Sequence, residues 1–255
     1  MAARRLSIAP KRRSSGPESV SRRDSPPEDD APRSRGYRQF CGLARALDAI
    51  GSRWTLLIIR ELLISPRRYS DLKTALPGVA SNLLTARLRE LKRSGLVRLR
   101  DVPPPTPARL YELTPLGCDL EEAVLSLTRW GGHQMSRGRG EDAFRADWLV
   151  LALRALLGRD ASPFVSNLTA TLHVEGESVT IIVAEGLLDV RLGASADADV
   201  TMRSDPETTL AVAAGTMPLE QAIAIGRARV EGTARGRRGV ATLFAGKRSP
   251  PSTLS

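Results

Sequence analysis

Between residues 40 and 63 the apolar positions recur at helical spacing. Leu43, Ala46, Leu47 and Ile50 form one stripe and predict an amphipathic helix ended by Gly51. Leu56, Leu57, Ile58, Ile59, Leu62 and Leu63 are apolar on most sides of a second helix, over 54–63, as befits the centre of a small helical core, with Pro66 at its exit. Ser70 reads as the N-cap of a short helix over 71–76, which Pro77-Gly78 breaks. After a tight turn a further helix runs from Ser81 or Asn82 to Ser94, where Gly95 stops it. Alternation then predicts strands over 96–102 and 109–113, joined through Pro103, Pro104, Pro105 and Pro107. Two helices across a Gly-containing turn, followed by a β-hairpin, make a winged helix-turn-helix with the proline-rich loop as wing.

The next stripe, Leu120, Ala123, Val124, Leu127 and Trp130, predicts a helix over 116–130 that serves either as domain core or as a dimer seam. Gly131-Gly132-His133 and the glycines at 138 and 140 read as a linker, 134–141. Beyond it the pattern is a helix over 142–157, strand-like runs over 168–174, 179–183, 188–192 and 198–203, and a helix over 207–214 entered through Asp205-Pro206. A helix over 219–225, a strand over 227–231 and a helix over 239–244 follow. The expected fold is α+β: an N-terminal winged helix-turn-helix domain (37–133), then a second α+β domain with an antiparallel sheet (142–246). Residues 1–36, rich in Ser, Pro, Arg and Asp, read as a disordered tail, either a solvated leader or an auxiliary non-specific DNA contact, and 247–255 as a second tail.

Charge divides along the same boundary. The net +10 resolves into 17 basic and 9 acidic groups over 37–140 against 10 basic and 14 acidic over 141–246. An anion-binding half is thus joined to a half with another task. Aromatics are only 4 % of the 255 residues, which disfavours base stacking on single strands and leaves groove reading of duplex DNA. No apolar core of an export signal stands in the basic N-terminus, and no apolar run approaches the roughly twenty residues that span a bilayer. A cytoplasmic protein without membrane contact is expected.

Helical geometry sorts the residues of the second helix of the motif. Leu84, Leu88 and Leu91 share one face and must pack inward, while Asn82, Ala86, Arg89 and Arg93 share the other, with Thr85 at its edge. Asn and Arg suit bidentate contacts with adenine and guanine, and Ala and Thr suit the thymine methyl. Asn82, Thr85, Ala86 and Arg89 are therefore assigned to base readout. Arg67, Arg68, Arg87, Lys92, Arg93, Arg98, Arg100 and Arg109 are assigned to phosphates. Between Arg67 and Arg109 stand ten basic residues and three acidic ones, where an ordinary solvated face would mix both signs.

The run from Cys41 through Leu62, with Arg67-Arg-Tyr-Ser-Asp-Leu72, Leu84-Thr-Ala-Arg-Leu-Arg-Glu-Leu91, Ser94-Gly-Leu-Val97 and Tyr111-Glu-Leu-Thr-Pro-Leu-Gly117, closely resembles the HxlR-type winged-helix regulators over about a hundred residues. The resemblance implies a transcription regulator, usually dimeric, that binds a partly palindromic double-stranded operator, and it tips the helix over 116–130 toward dimerisation. Some members use the initial cysteine as a thiol sensor of oxidants or electrophiles, which makes Cys41 a candidate, although the family's usual proline after it is Gly42 here. Arg38 and Arg45 are placed to lower its pKa; a small buried thiol is the plainer alternative. Cys118 reads as packing.

A looser set of motifs, Ala198-Asp-Val-Thr-Met-Arg-Ser-Asp-Pro-Glu-Thr-Thr-Leu210, Gly215, Pro218-Leu-Glu-Gln-Ala222 and Gly226-Arg-Ala-Arg-Val-Glu-Gly232, resembles the sterol-carrier-protein-2 family. That resemblance implies an apolar effector pocket for a lipid-like molecule, with Leu210, Met217 and Ile223 as candidate lining; an apolar core has the same sequence signature. No metal-ligand spacing, phosphate-binding loop or nucleophile motif stands in the chain, so neither an enzyme nor a cofactor is expected. The expected function is a dimeric DNA-binding regulator sensing an apolar small molecule. The alternatives are a lipid carrier whose helix-turn-helix is a protein-binding platform, and thiol sensing through Cys41.

Overall fold

The computed structural model describes residues 36–103, 107–158, 165 and 167–245. All but the last residue of the tail expected over 1–36, the tip of the wing loop (104–106) and the tail over 247–255 lie outside the described residues. Helices α1 (Gly42–Ile50), α2 (Thr55–Ile64), α3 (Tyr69–Ala75) and α4 (Ser81–Arg93) lead into the antiparallel hairpin β1 (Val97–Val102) and β2 (Ala108–Leu113). The core beneath them is aliphatic, as the low aromatic content requires: Ile58, Ile59, Leu72, Leu76, Leu84, Leu88 and Leu91 are buried together. Helix α2 begins one residue later than its apolar pattern predicts because Trp54 takes a left-handed conformation with φ 77°. Helix α3 starts earlier than Ser70, its entry fixed by the backbone N–H of Arg68 donating to Asp71 at 3.0 Å.

The single helix expected over 116–130 is two helices, α5 (Pro115–Cys118) and α6 (Glu121–Gly132). Thr114 caps the first by accepting from the Gly117 N–H, and Gly117 lies against the Leu96 carbonyl too closely for any side chain. The expected linker is not a free tether either. A 3-10 turn, His133–Arg137, continues from α6, and the Arg139 N–H donates to Glu207 while its guanidinium reaches the Asp142 carbonyl and Glu175.

Helix α7 (Ala146–Leu157) then packs on a five-stranded sheet of β3 (Leu168–Val174), β4 (Glu177–Ala184), β5 (Leu187–Leu192), β6 (Val200–Ser204) and β7 (Ala228–Gly232), ordered β5-β4-β3-β6-β7. Strands β3, β4 and β5 form the expected antiparallel meander, and β7 is antiparallel to β6. Strand β6 pairs parallel to β3, which makes the sheet antiparallel but for one ladder. Between β6 and β7 lie α8 (Pro206–Ala213), capped by the Asp205 carboxylate accepting from Thr208, and α9 (Leu219–Ala224); α10 (Ala234–Ala245) closes the fold. Apolar residues at alternate positions of β3 and β4, such as Leu172, Val174, Val179 and Ile181, form the second core with α7, α8 and α10.

The two halves share a third, smaller core in which Leu125, Leu151 and Ala155 meet Leu63 and Ile64. They belong to one compact unit, residues 37–255. Among the described residues, no helix is long and apolar enough to cross a membrane and no cluster of side chains could hold a metal ion.

Candidate nucleic-acid interface

Helix α4 presents two faces. Leu84, Leu88 and Leu91 are buried against α2 and α3, while Asn82, Thr85, Arg89, Lys92 and Arg93 are exposed. Ala86 lies half-buried between them. The first turn is fastened from α3, since the Tyr69 hydroxyl donates to the Ser81 carbonyl at 3.0 Å and Thr85 Oγ1 donates to the same oxygen at 2.9 Å. That bond occupies the Thr85 hydroxyl proton. Asn82 Oδ1 accepts the Leu83 N–H at 2.8 Å, leaving the amide NH₂ group outward. Lys92 and Arg93 stand in the last turn, where the helix dipole favours cations.

The cations assigned to phosphates divide into two groups. Among the described residues, Arg68, Arg89, Lys92 and Arg93 have neither an ion-pair nor a side-chain hydrogen-bond partner, so their charge is available to a polyanion. The others are engaged. Arg98 and Arg100 both donate to Glu112, at 2.8 and 2.6 Å, and Arg109 pairs with Asp101 at 3.2 Å across the same hairpin. Bonding from Arg100 first, and then from Arg98, holds the Glu112 carboxyl below the usual glutamate range. Arg87 donates to Glu90 and to the Arg53 carbonyl. The single-signed charge of this region is therefore partly neutralised. Strand register is the reason: Arg98 stands opposite Glu112, a residue just beyond the window in which one sign predominates.

Arg67 requires the largest correction. Its side chain is only 17 % exposed and its Nη2 donates to Asp147 at 2.8 Å, so it is turned away from solvent into the junction of the two halves. The partners are 80 residues apart in sequence, and no local signal connects them.

In the second half, Leu210 and Met217 pack on the buried core, whereas Ile223 is exposed and does not border the recess at Met217. Met217 borders a recess of about 30 Å³ with Leu219 and Phe244. A wider cleft of about 290 Å³, beside α10, is polar in character, with Asn167, Asp199, Arg235, Arg238 and Thr242 around Leu168.

Cys41 is exposed at the N-cap of α1. The backbone N–H groups of Ala44 and then Leu43 hold its thiol below the ordinary cysteine pKa, with a small opposing effect of burial. The arginines expected to do this do not: Arg45 is paired with Asp48 at 3.6 Å. Cys118 is exposed, not packed.

The fold is that of a winged-helix protein whose helix α4 carries an exposed cationic ridge, joined to an α+β domain. The HxlR-like helix-turn-helix model matches residues 49–139, and the SCP-2 sterol transfer family model matches residues 153–244. The uncharacterized HTH-type transcriptional regulator YvaP of Bacillus subtilis is 38 % identical over 87 residues, which are 34 % of this chain and 80 % of that one. The uncharacterized HTH-type transcriptional regulator sll1512 of Synechocystis is 35 % identical over 93 residues, 36 % of this chain and 68 % of that one. The reduced form of the transcriptional regulator YodB from B. subtilis is 26 % identical with a TM-score of 0.35, covering 39 % of this chain and 99 % of that one. The chain belongs to the HxlR-like helix-turn-helix family of transcriptional regulators, and it carries the SCP-2 match in addition.

Proposed function

We propose that the protein binds duplex DNA through α4, reading bases with Asn82, Thr85, Ala86 and Arg89 and phosphates with Arg68, Lys92 and Arg93, as a dimer whose C-terminal domain senses an apolar small molecule. The observation that carries DNA binding is the α4 face itself: Arg89, Lys92 and Arg93 are exposed and unpaired beside Asn82 and Thr85. Residues near the start of a recognition helix are best placed to reach base edges, and those one turn further on meet the backbone. The wing arginines, held by Glu112 and Asp101, are secondary contacts. Titrating the protein with duplex DNA from upstream of its own gene, over a range of salt, tests this. Binding that weakens steeply with salt is expected, and salt-independent or absent binding overturns it.

Dimerisation is supported by the apolar residues that the helices leave exposed, Leu43 and Leu47 on α1 and Leu127 and Trp130 on α6. Effector sensing is supported by the match to a sterol-transfer family. A drug-sized ligand needs a cavity of about 300 Å³ or more, and the recess at Met217 holds about a tenth of that. Entry there requires α9 and α10 to part. Organic extraction of the purified protein, followed by mass spectrometry, tests the effector.

A second reading, thiol sensing, is favoured by one observation: Cys41 is exposed and its pKa is lowered by two backbone donors. Thiolate is the reactive form. Oxidant-dependent DNA binding that Cys41→Ser abolishes supports this reading, and an unchanged response overturns it.

A further inference from the structure

We infer that the buried charge cluster joining α2, α7 and the wing is the joint through which the C-terminal domain sets the position of the wing, with Arg67 as the positioning residue. This rests on the DNA-binding reading above for its consequence, though not for its mechanics. Arg67 is held in two directions. Its backbone N–H donates to the Tyr111 carbonyl at 3.0 Å and its carbonyl accepts the Tyr111 N–H at 2.8 Å, so residue 67 is a third-strand element on the middle of β2, where Tyr111 stands opposite Leu99 of β1. Its side chain points the other way, to Asp147 in the first turn of α7. Asp147 is 5 % exposed and also receives Arg145, at 3.0 and 2.7 Å. Helix α7 in turn packs on β4, β5 and α8. One side chain thus connects the sheet domain to the wing.

The cluster is one bond short of closure. Glu61 of α2 is fully buried; its Oε1 accepts the Trp148 indole N–H at 2.8 Å and both Nε and Nη2 of Arg60, while its Oε2 has no donor. Arg67 Nη2 lies 3.8 Å from that oxygen, and Arg67 Nε is buried without an acceptor. An unmet acceptor and an unmet donor in adjoining residues are costly away from water. Arg67 therefore has two carboxylates to serve, Asp147 across the domain boundary and Glu61 within the winged helix, and satisfies only the first fully. A shift of α7 that withdraws Asp147 hands Arg67 to Glu61 and moves the backbone paired to Tyr111. Such a two-arrangement element is what coupling between separate sites requires.

The test uses the full chain and reads hydrogen exchange at single amides together with DNA affinity. Asp147→Asn should raise exchange of the Arg67 and Tyr111 amides at least tenfold, leave the Leu172 amide of β3 within twofold of wild type, and change DNA affinity by about fivefold or more. Arg67→Gln and Asp147→Asn combined should change affinity no more than the larger single effect. Unchanged Tyr111 exchange in the folded variant, or strictly additive effects, overturns the inference. Should Asp147→Asn fail to fold, Arg67→Gln alone, which breaks the same bond from its other end, is read at the Tyr111 amide with the same expectation. Wild type that binds no duplex overturns the DNA-binding reading alone, because the exchange measurement still decides the joint.

Discussion

Gly236 of α10 lies so near the backbone carbonyl of Asp199 that a Cβ added to it would stand 2.5 Å from that oxygen. The same carbonyl accepts the Thr233 N–H at 3.0 Å, so it is not free to retreat. Three residues on, a Cβ on Gly239 would stand 3.1 Å from Leu168. The Gly-Arg-Arg-Gly segment is thus a packing device that brings α10 onto β3 and the entry to β6.

A helical glycine is ordinarily worth about 1 kcal/mol less than alanine, but here the contact reverses the sign. Gly236→Ala is expected to destabilise the protein by about 1–3 kcal/mol, the usual range for overpacking. Gly131→Ala in α6, where an added Cβ meets nothing within 4 Å, is expected to be neutral or stabilising by up to about 1 kcal/mol. Denaturant titration of both variants checks the pair of signs.

Arg89→Ala should relax sequence preference at one operator position at a cost of about 1–3 kcal/mol, while Lys92→Ala should weaken all duplexes alike and flatten the log–log salt slope by about one unit. Anisotropy titrations over a panel of single-base operator variants check this. A uniform loss for Arg89→Ala would make it a phosphate contact.

Glu112 restrains two wing arginines. Glu112→Gln should therefore raise DNA affinity and steepen the salt dependence by up to about two units as Arg98 and Arg100 find phosphates. Salt titrations of wild type and variant check it; an unchanged slope would show that the wing stays off the duplex.

Burial pushes the Asp147 carboxyl up, but bonding to Arg145 and the charge and bonding of Arg67 hold its pKa below the ordinary aspartate value. A depressed folded pKa means that the stabilisation is complete above the unfolded value, about 3.9, and is lost as pH falls through the folded value. Stability should thus drop on acidification below about pH 4 in wild type, and less steeply in Asp147→Asn. Asp147→Ala, which takes the shared carboxylate from Arg67 and Arg145 and leaves Arg67 with Glu61 alone, should cost about 1–3 kcal/mol at neutral pH. Chemical unfolding at a series of pH values measures both.

Trp130 is 66 % exposed on α6. If the proposed dimer forms through this face, Trp130→Glu should shift the protein toward monomer in sedimentation velocity and weaken operator binding; an unchanged sedimentation coefficient would place the dimer contact elsewhere.

Local pattern determined much of this protein. The spacing of Leu84, Leu88 and Leu91 dictated the buried face of α4, and with it which residues face outward, because a helix fixes 100° per residue whatever surrounds it. Alternation placed β3 to β5, and Asp205-Pro206 marked the start of α8, since caps and pleats are set by neighbours in sequence. Tertiary structure alone decided how those outward charges are spent. The Arg98–Glu112 pairing follows from hairpin register, the Arg67–Asp147 bond joins elements far apart in sequence, and the parallel placement of β6 beside β3 depends on a long crossover. Sequence periodicity records which way a side chain faces; whether an opposite charge waits there is a property of the folded chain.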